Sequence, residues 1–184
     1  MLRRQGVRAL IGATAVTLTL TIAPAANSAA ALATTLYYDD SQAAEFKSAV
    51  AAGAQAWNSS VTNVRITKAP AGRRAEIVVI ADNGWPRANL GPVRPGGRVT
   101  IWFGRQAVQQ GYNPTRIASH EMGHSLGLPD RKPGPCSSLM SGSTGGVSCT
   151  NALPNATERA GVDRNYAGTT VPATRTGSVL VDAP

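Results

Sequence analysis

The sequence predicts an α/β domain built on a small, twisted sheet of mixed but mostly parallel strands. Short β-branched and apolar runs that are typical of strands recur along the chain, and the first is residues 34–38. A helical pattern separates the first two runs, and a connection of that kind favours parallel neighbours. Two further helical patterns follow the last run. We therefore expect a backing helix, a central helix and a C-terminal helix to pack with one sheet.

The first half of the domain alternates helix and strand. Residues 39–41 can cap a backing helix over residues 43–57, where apolar side chains recur at helical spacing. Residues 64–67 and 76–81 are the next predicted strands, and the continuous apolar run of the second suits a buried position. Residues 82–97 are rich in glycine and proline, which predicts a loop.

The central helix has the clearest start and stop signals. It follows a strand predicted over residues 98–103. Asn113 is a favourable N-cap, and Pro114 is tolerated at the first helical position. The helix is expected to end near Leu126, because Gly127 can adopt the positive φ that turns the chain away.

The remainder of the chain is less regular. Residues 128–153 show no periodic pattern, whereas residues 154–166 carry a weak one that predicts the C-terminal helix. The folded domain is therefore expected to span residues 34–167. Residues 168–184, rich in Thr, Ala, Gly and Pro, are predicted to form a flexible tail.

Residues 1–33 have the build of a secretory signal peptide. Basic residues precede an apolar run over residues 9–23, and small residues between 28 and 33 offer several cleavage sites. The apolar run is about 15 residues long, shorter than the roughly 20 that a membrane span needs. An uncleaved anchor is the alternative. We expect a secreted protein without membrane attachment after cleavage.

The formal net charge of +8 does not by itself indicate a nucleic-acid partner. Basic residues outside the signal peptide are scattered, and no nucleic-acid-binding motif accompanies them. A solvated basic surface is the better interpretation, so we expect no nucleic-acid partner.

Cys136 and Cys149 are the only cysteines in the chain. An oxidising exterior favours a disulfide between them, and two separate buried thiols are the alternative. A cysteine zinc site is not supported, because neither residue has a second Cys or a His at ligand spacing.

The central helix carries the motif that points to chemistry, His120-Glu121-Met122-Gly123-His124. Positions i and i+4 share one helix face, so both imidazoles can bind one cation, and Glu121 lies beside that face. These are the only two histidines in the chain. The pattern predicts a catalytic zinc site with Glu121 as the general base.

Two carboxylates compete for the third position on the metal. Asp130 completes the pattern HExxHxxGxxD, in which the turn at Gly127 can bring its oxygen back to the metal. Two histidines and one carboxylate leave an open position, as catalytic zinc requires. The alternatives are that Asp130 is a surface turn residue, or that Glu158 on the C-terminal helix is the ligand. We favour Asp130, and interpret Glu158 as a helix-surface or capping carboxylate.

These residues resemble the metzincin proteases, and among them the snapalysins, small secreted neutral proteases of bacteria. Metzincins carry HExxHxxGxxH or HExxHxxGxxD and then a methionine turn beneath the metal. Met140, in Ser-Leu-Met-Ser-Gly, lies ten residues beyond Asp130 and looks like that turn. The snapalysin disulfide encloses the turn, as a bond between Cys136 and Cys149 would here. The similarity covers about residues 34–167.

The resemblance implies a monomeric α+β endopeptidase with one catalytic zinc ion. Its partners would be protein or peptide substrates, with a preference for aromatic residues just after the scissile bond. The resemblance also implies calcium at positions matching Asn113 and Thr115. Relatives can carry Asp where Asn113 stands, and the loss of that carboxylate weakens the attraction for a hard cation. Lys132 stands where relatives have a Tyr thought to assist the transition state, and its ammonium can either take that role or face solvent.

The expected reaction is metal-assisted hydrolysis of the amide bond, with Glu121 transferring the proton. The strand at residues 98–103, if it lies at the sheet edge, would bind the substrate backbone by strand addition. Two other function classes stay open. One is a secreted binder of cell wall or polyanions with an idle zinc site, and the other is a zinc amidase acting on cell-wall peptides.

Overall fold

A six-stranded mixed sheet forms one layer of the domain in the computed structural model, which describes residues 32–168 and 178–184. The predicted signal peptide therefore lies almost wholly outside the described residues. In chain order the strands are β1 (Thr34–Gln42), β2 (Val64–Lys68), β3 (Ile77–Asp82), β4 (Arg87–Asn89), β5 (Val99–Gly104) and β6 (Val179–Val181). The helices are α1 (Lys47–Asn58), α2 (Arg105–Gln109), α3 (Pro114–Ser125) and α4 (Ala156–Asn165).

The sheet has the order β2-β1-β3-β5-β4-β6 and is parallel except at one side. The pairs β1–β2, β1–β3 and β3–β5 are parallel, whereas β4 runs antiparallel to both β5 and β6. The predicted fold class and the parallel pairing of the first two strands are confirmed. The edge position considered for β5 is wrong, since β4 and β6 lie beyond it.

Helices α1 and α3 pack against each other, and residue size sets how closely they approach. A Cβ at Gly53 of α1 would lie 2.9 Å from the Cβ of Ala118 on α3, so only glycine permits this spacing. Trp57, near the end of α1, is fully buried, and its Nε1 donates a hydrogen bond to the Ser119 carbonyl at 2.8 Å. This packing fixes α3, the predicted central helix, firmly in the domain.

Four short elements besides β6 were not predicted. Strand β4 lies inside the glycine- and proline-rich stretch, and helix α2 directly follows β5. The other two are 3₁₀ segments. Ala44–Phe46 directly precedes α1, and Leu139–Gly145 lies within the irregular stretch before α4. Elements of three to seven residues complete too few periods to leave a pattern in the sequence.

The flexible tail predicted for residues 168–184 is wrong for residues 178–184. These residues include β6, which pairs with β4, and Asp182 is buried. Backbone pairing over three residues holds them, and composition carries no signal for such pairing. Residues 169–177 lie outside the described residues. Within the described ranges, none of the helices has the length and apolar character needed to cross a membrane.

Candidate metal centre

Helix α3 brings the motif residues into the interior. The side chain of Asn113 accepts a hydrogen bond from the Arg116 backbone amide at 3.0 Å, which confirms it as the N-cap, and Pro114 is the first helical residue. Every residue from 116 to 125 is buried. Gly127 has a φ of 93° and turns the chain off the helix end, as predicted. A Cβ there would lie 2.8 Å from the Pro92 ring, so the turn also needs glycine to fit.

The two imidazoles converge on the carboxylate of Asp130. The Nε2 atoms of His120 and His124 lie 3.4 Å and 3.6 Å from Asp130 Oδ1. Each Nδ1 faces a backbone carbonyl, that of Leu139 at 3.0 Å for His120 and that of Leu128 at 2.7 Å for His124. Because a carbonyl only accepts, each Nδ1 carries a hydrogen, so each Nε2 is the atom that can bind a cation once its ring is neutral.

The buried atoms at this centre fit a cation. The Nε2 atoms of both histidines, Oδ1 of Asp130 and both carboxylate oxygens of Glu121 have no hydrogen-bond partner among the described residues. A buried polar atom without a partner costs about 1–3 kcal/mol, so such a concentration requires a compensating ligand. The donor atoms of His120, His124 and Asp130 all lie within 4.8 Å of one another. Two imidazole nitrogens and one carboxylate oxygen are a donor set that suits zinc.

Burial and neighbouring charges shift the protonation of the centre. Burial, reinforced by the charges of Asp182 and Asp130, raises the pKa of the Glu121 carboxyl to about 8. Burial and the neighbouring imidazole lower the pKa of His124 to about 4. Burial also lowers the pKa of His120, but the surrounding carboxylates outweigh this effect and raise it to about 9. The metal-free centre therefore holds protons that a cation would displace.

Glu158, the rival third ligand, has a different task. It is buried and forms a capping box with Asn155, so its interpretation as a capping residue is confirmed and that as a helix-surface residue is wrong. Its Oε1 accepts from Ser138 Oγ at 2.7 Å and from the Met140 amide at 2.9 Å, and its Oε2 from the Leu139 amide at 3.2 Å. No metal-capable group among the described residues includes it. Glu158 therefore holds the methionine turn.

Replacing Glu158 with Ala is expected to lower the free energy of unfolding by about 3 kcal/mol or more. The change leaves buried amides and a hydroxyl without the carboxylate that they contact, and each hydrogen bond to a charged group contributes about 1.5–3 kcal/mol. Urea unfolding of the metal-free protein measures the effect. Arg159→Ala, on the next residue of α4, serves as the control and is expected to change stability by less than about 1 kcal/mol. Equal unfolding midpoints for the two variants would contradict this assignment.

The methionine turn lies directly beneath α3. Met140 is 1% exposed, and a Cβ at Gly123 would lie 2.6 Å from its Sδ atom. Cys136 and Cys149 form a disulfide with Cα atoms 5.5 Å apart, so the alternative of two separate thiols is wrong. The bond encloses Met140 in the sequence, as the resemblance implies.

Arg116 was missed by the sequence analysis, although it helps to build the centre. Its guanidinium is buried and donates to the Asn151 carbonyl at 2.7 Å, the Ser138 carbonyl at 2.9 Å and the hydroxyl of Ser141 at 2.9 Å. These contacts attach the disulfide-bonded segment to α3. The available signal was spacing, because Arg116 lies four residues before His120 and so shares its helix face.

The roles that the resemblance gave to three residues stay predictions. Lys132 contacts the Asp182 carboxylate through Nζ and donates to the Ala183 carbonyl at 3.1 Å, so its ammonium lies near the centre and is engaged there. The side-chain oxygen of Asn113 is used as the helix cap, and Thr115 is half-buried. Calcium at these two positions stays a prediction.

The chain is similar to several known proteins. The family model of the Streptomyces extracellular neutral proteinase (M7) family matches residues 33–180. The chain is 43% identical over 143 residues to an extracellular small neutral protease of Streptomyces lividans, covering 78% of this chain and 61% of that protein. It is 44% identical over 133 residues to one of Streptomyces caespitosus, covering 72% of this chain and 97% of that protein. The chain thus spans about 61% of the length of the first of these relatives.

A solved structure also shows similarity, namely high choriolytic enzyme 1, a hatching enzyme zinc-protease from Oryzias latipes. The match has 20% sequence identity and a TM-score of 0.38, and it covers 52% of this chain and 44% of that one. The similarity is too low to add to the sequence comparisons. On the strength of the family match and the curated relatives, the chain belongs to the Streptomyces extracellular neutral proteinase (M7) family, the snapalysins.

Proposed function

We propose that this chain is a secreted endopeptidase that hydrolyses peptide bonds in extracellular proteins and uses one zinc ion held by His120, His124 and Asp130. The observation that carries the proposal is the convergence of their buried donor atoms, none with a hydrogen-bond partner among the described residues. Membership of an extracellular neutral proteinase family supports the same reaction class. A closed structural site would need a fourth protein ligand, whereas three leave a position for substrate and water.

The residues around the centre have separate tasks. When bound, zinc supplies a Lewis acid that activates water and polarises the scissile carbonyl. The Leu139 and Leu128 carbonyls fix the orientation of the two imidazoles through Nδ1. Glu121 is fully buried with both oxygens unengaged within the described part of the chain, so it can accept a proton from water and deliver it to the leaving nitrogen.

Charge at the centre makes Glu121 suitable as a base. Without a cation, burial raises its pKa to about 8, which would keep the carboxyl largely protonated at neutral pH. A divalent cation nearby favours the ionised form and lowers that pKa. The general base is therefore available when the centre is loaded with metal, and activity is expected to follow metal content.

Finer properties of the proposed enzyme follow from the family resemblance. They are a monomeric state, protein or peptide substrates with an aromatic residue after the scissile bond, and help from the Lys132 ammonium in stabilising the oxyanion. The position of Lys132 beside the Asp182 carboxylate is compatible with the last of these.

Removal of the metal is the experiment that tests the proposed function. Incubation with a zinc chelator is expected to lower casein hydrolysis by at least about 100-fold, and stoichiometric zinc should restore it. The control is chelator-treated protein from which the chelator has been removed before the assay and to which no zinc is added. Equal hydrolysis before and after chelation would contradict the proposal. Zinc binding without hydrolysis of casein would favour the idle-site binder, and hydrolysis of cell-wall peptides alone would favour the amidase.

A further inference from the structure

The segment of residues 178–184, here called the C-terminal segment, covers the edge of the sheet beside the metal centre. Its strand β6 runs antiparallel to β4. The Ser178 carbonyl accepts from the Leu90 amide at 2.8 Å, and the Asp182 amide donates to the Pro86 carbonyl at 2.9 Å. Strand β4 would otherwise be the outer strand of the sheet. An outer strand with free backbone groups is the usual place where an extended peptide binds by strand addition.

The C-terminal segment also sends a carboxylate into the centre. Asp182 is 5% exposed, and its Oδ2 lies 4.0 Å from His120 Nε2. With His120 and Glu121 it forms a second group of potential ligand atoms, all within 4.8 Å of one another. A peptide that follows β4 in this register therefore brings its own atoms directly to the metal centre.

Several groups hold the Asp182 carboxylate in place. Its Oδ1 accepts from the Ser143 amide at 2.9 Å and contacts the Lys132 ammonium. Gly142 has a φ of 52°, and a Cβ there would collide with the carboxylate. The Lys132 ammonium and the Ser143 hydroxyl both donate to the next carbonyl, that of Ala183. The groups around Asp182 therefore bind both its carboxylate and the backbone carbonyl of the residue that follows it.

The rest of the C-terminal segment is held weakly. The side chains of Val179 and Val181 are 43% and 49% exposed, so backbone hydrogen bonds and one carboxylate supply most of its contacts. Each backbone hydrogen bond contributes only about 0.5–1.5 kcal/mol. Such a segment can be displaced by a competing peptide, unlike a strand that is anchored by buried apolar side chains.

We propose that the C-terminal segment is autoinhibitory: it occupies the strand position of a peptide substrate along β4, and Asp182 blocks the metal centre beside His120. The proposal rests on the proposed function, because only a peptide-cleaving enzyme needs that edge for its substrate. Docking also engages Lys132, for which assistance of the reaction was one of two predicted roles. Release of the segment, by competition or by proteolysis, would open the edge and free Lys132.

Because the C-terminal segment belongs to the same chain, its weak contacts are sufficient to keep it docked. A tethered segment has an effective concentration of about 1 mM. A segment with a Kd of about 100 µM as a free peptide would then be docked in about 90% of molecules. Full-length protein would bind a competing peptide about tenfold more weakly than protein without the segment.

The test compares the full chain with a variant that lacks residues 178–184. The probe is a fluorescein-labelled peptide, SVLVDAP, with the sequence of the segment, and binding is followed by fluorescence anisotropy with and without zinc. The truncated chain is expected to bind the probe about tenfold more tightly than the full chain. The same peptide carrying Asp182→Asn should bind at least about fivefold more weakly than the unmodified probe. Equal affinity of the full and truncated chains for the probe would overturn the proposal.

A second variant keeps the test decisive if the truncated chain does not fold. Asp182→Asn in the full chain is expected to tighten probe binding severalfold, because it weakens docking of the segment. Asp163→Asn makes the same chemical change on α4, where the carboxylate contacts Thr62 and Asn63, and it should leave probe binding unchanged. Probe affinities that are the same for Asp182→Asn and the wild-type chain would overturn the proposal.

Kinetics separate this proposal from the proposed function. With casein as substrate, truncation should lower KM by about tenfold and leave kcat within about twofold, as expected for relief of competition. If neither chain cleaves casein, the proposed function fails, and the binding of the labelled peptide still decides whether the segment occupies the edge. Cleavage by both chains with the same KM would overturn autoinhibition and leave the proposed function intact.

Discussion

Glu121→Gln is expected to lower kcat/KM on casein by about 100- to 10,000-fold while the protein retains its zinc. A positioned general base contributes about this much to a hydrolytic reaction. The substitution keeps the size of the side chain and removes its ability to take up a proton. Because Glu121 is fully buried and its oxygens have no partner within the described residues, no structural hydrogen bond there is lost.

Three measurements are needed to interpret this variant. Zinc content by elemental analysis should be one ion per chain in both proteins, and far-UV circular dichroism should be unchanged. Glu45→Gln makes the same chemical change on an exposed side chain that pairs with Arg105, and it should retain activity. A Glu121→Gln protein that cleaves casein at the wild-type rate would refute the assignment of the base.

The sequence was sufficient to group the residues of the candidate metal centre because they are close together in the chain. His120 and His124 are one helical turn apart, and Asp130 follows after a turn that Gly127 permits. Local geometry therefore decides where these side chains point. The parallel pairing of β1 and β2 follows similarly from the single helix between them.

The parts that the sequence did not predict depend on contacts between distant residues. Asp182 approaches His120 across 62 positions of sequence, through a strand of three residues that pairs with another of three. Neither strand is long enough to show a period of two, and β4 lies among glycines and prolines that are typical of loops. The same reasoning explains why β5 was expected at the sheet edge. Once β4 is recognised, β5 becomes an inner strand.

Glu158 shows how sequence can identify a local role and miss a distant one. A capping role was considered as one interpretation, and the capping box with Asn155 follows from a spacing of three residues. Its contacts with the turn at Leu139 and Met140 bridge about 20 residues and were not predicted. The buried carboxylate therefore links the start of α4 to the support of the His120 ring, since the Leu139 carbonyl orients that ring.

Asp130→Ala is expected to weaken zinc binding by at least about 100-fold and to leave the fold intact. Two imidazoles would remain, whereas a catalytic zinc site normally uses three protein ligands. The Asp130 side chain is 26% exposed and lies outside the hydrophobic core, so the metal-free variant is expected to fold. Competition with a chromophoric chelator measures the affinity, and urea unfolding checks the fold.

The comparison with Glu158→Ala makes this result diagnostic. That variant should lose stability, whereas its folded fraction should bind zinc more tightly than Asp130→Ala does, because Glu158 reaches the centre only through the turn. Wild-type zinc affinity in Asp130→Ala would contradict Asp130 as the third ligand. Asp182 would then be the next carboxylate to test, since it lies within reach of His120, and zinc binding should in that case fall when residues 178–184 are removed. If Asp130 is the ligand, removing those residues should leave zinc bound and expose it to substrate.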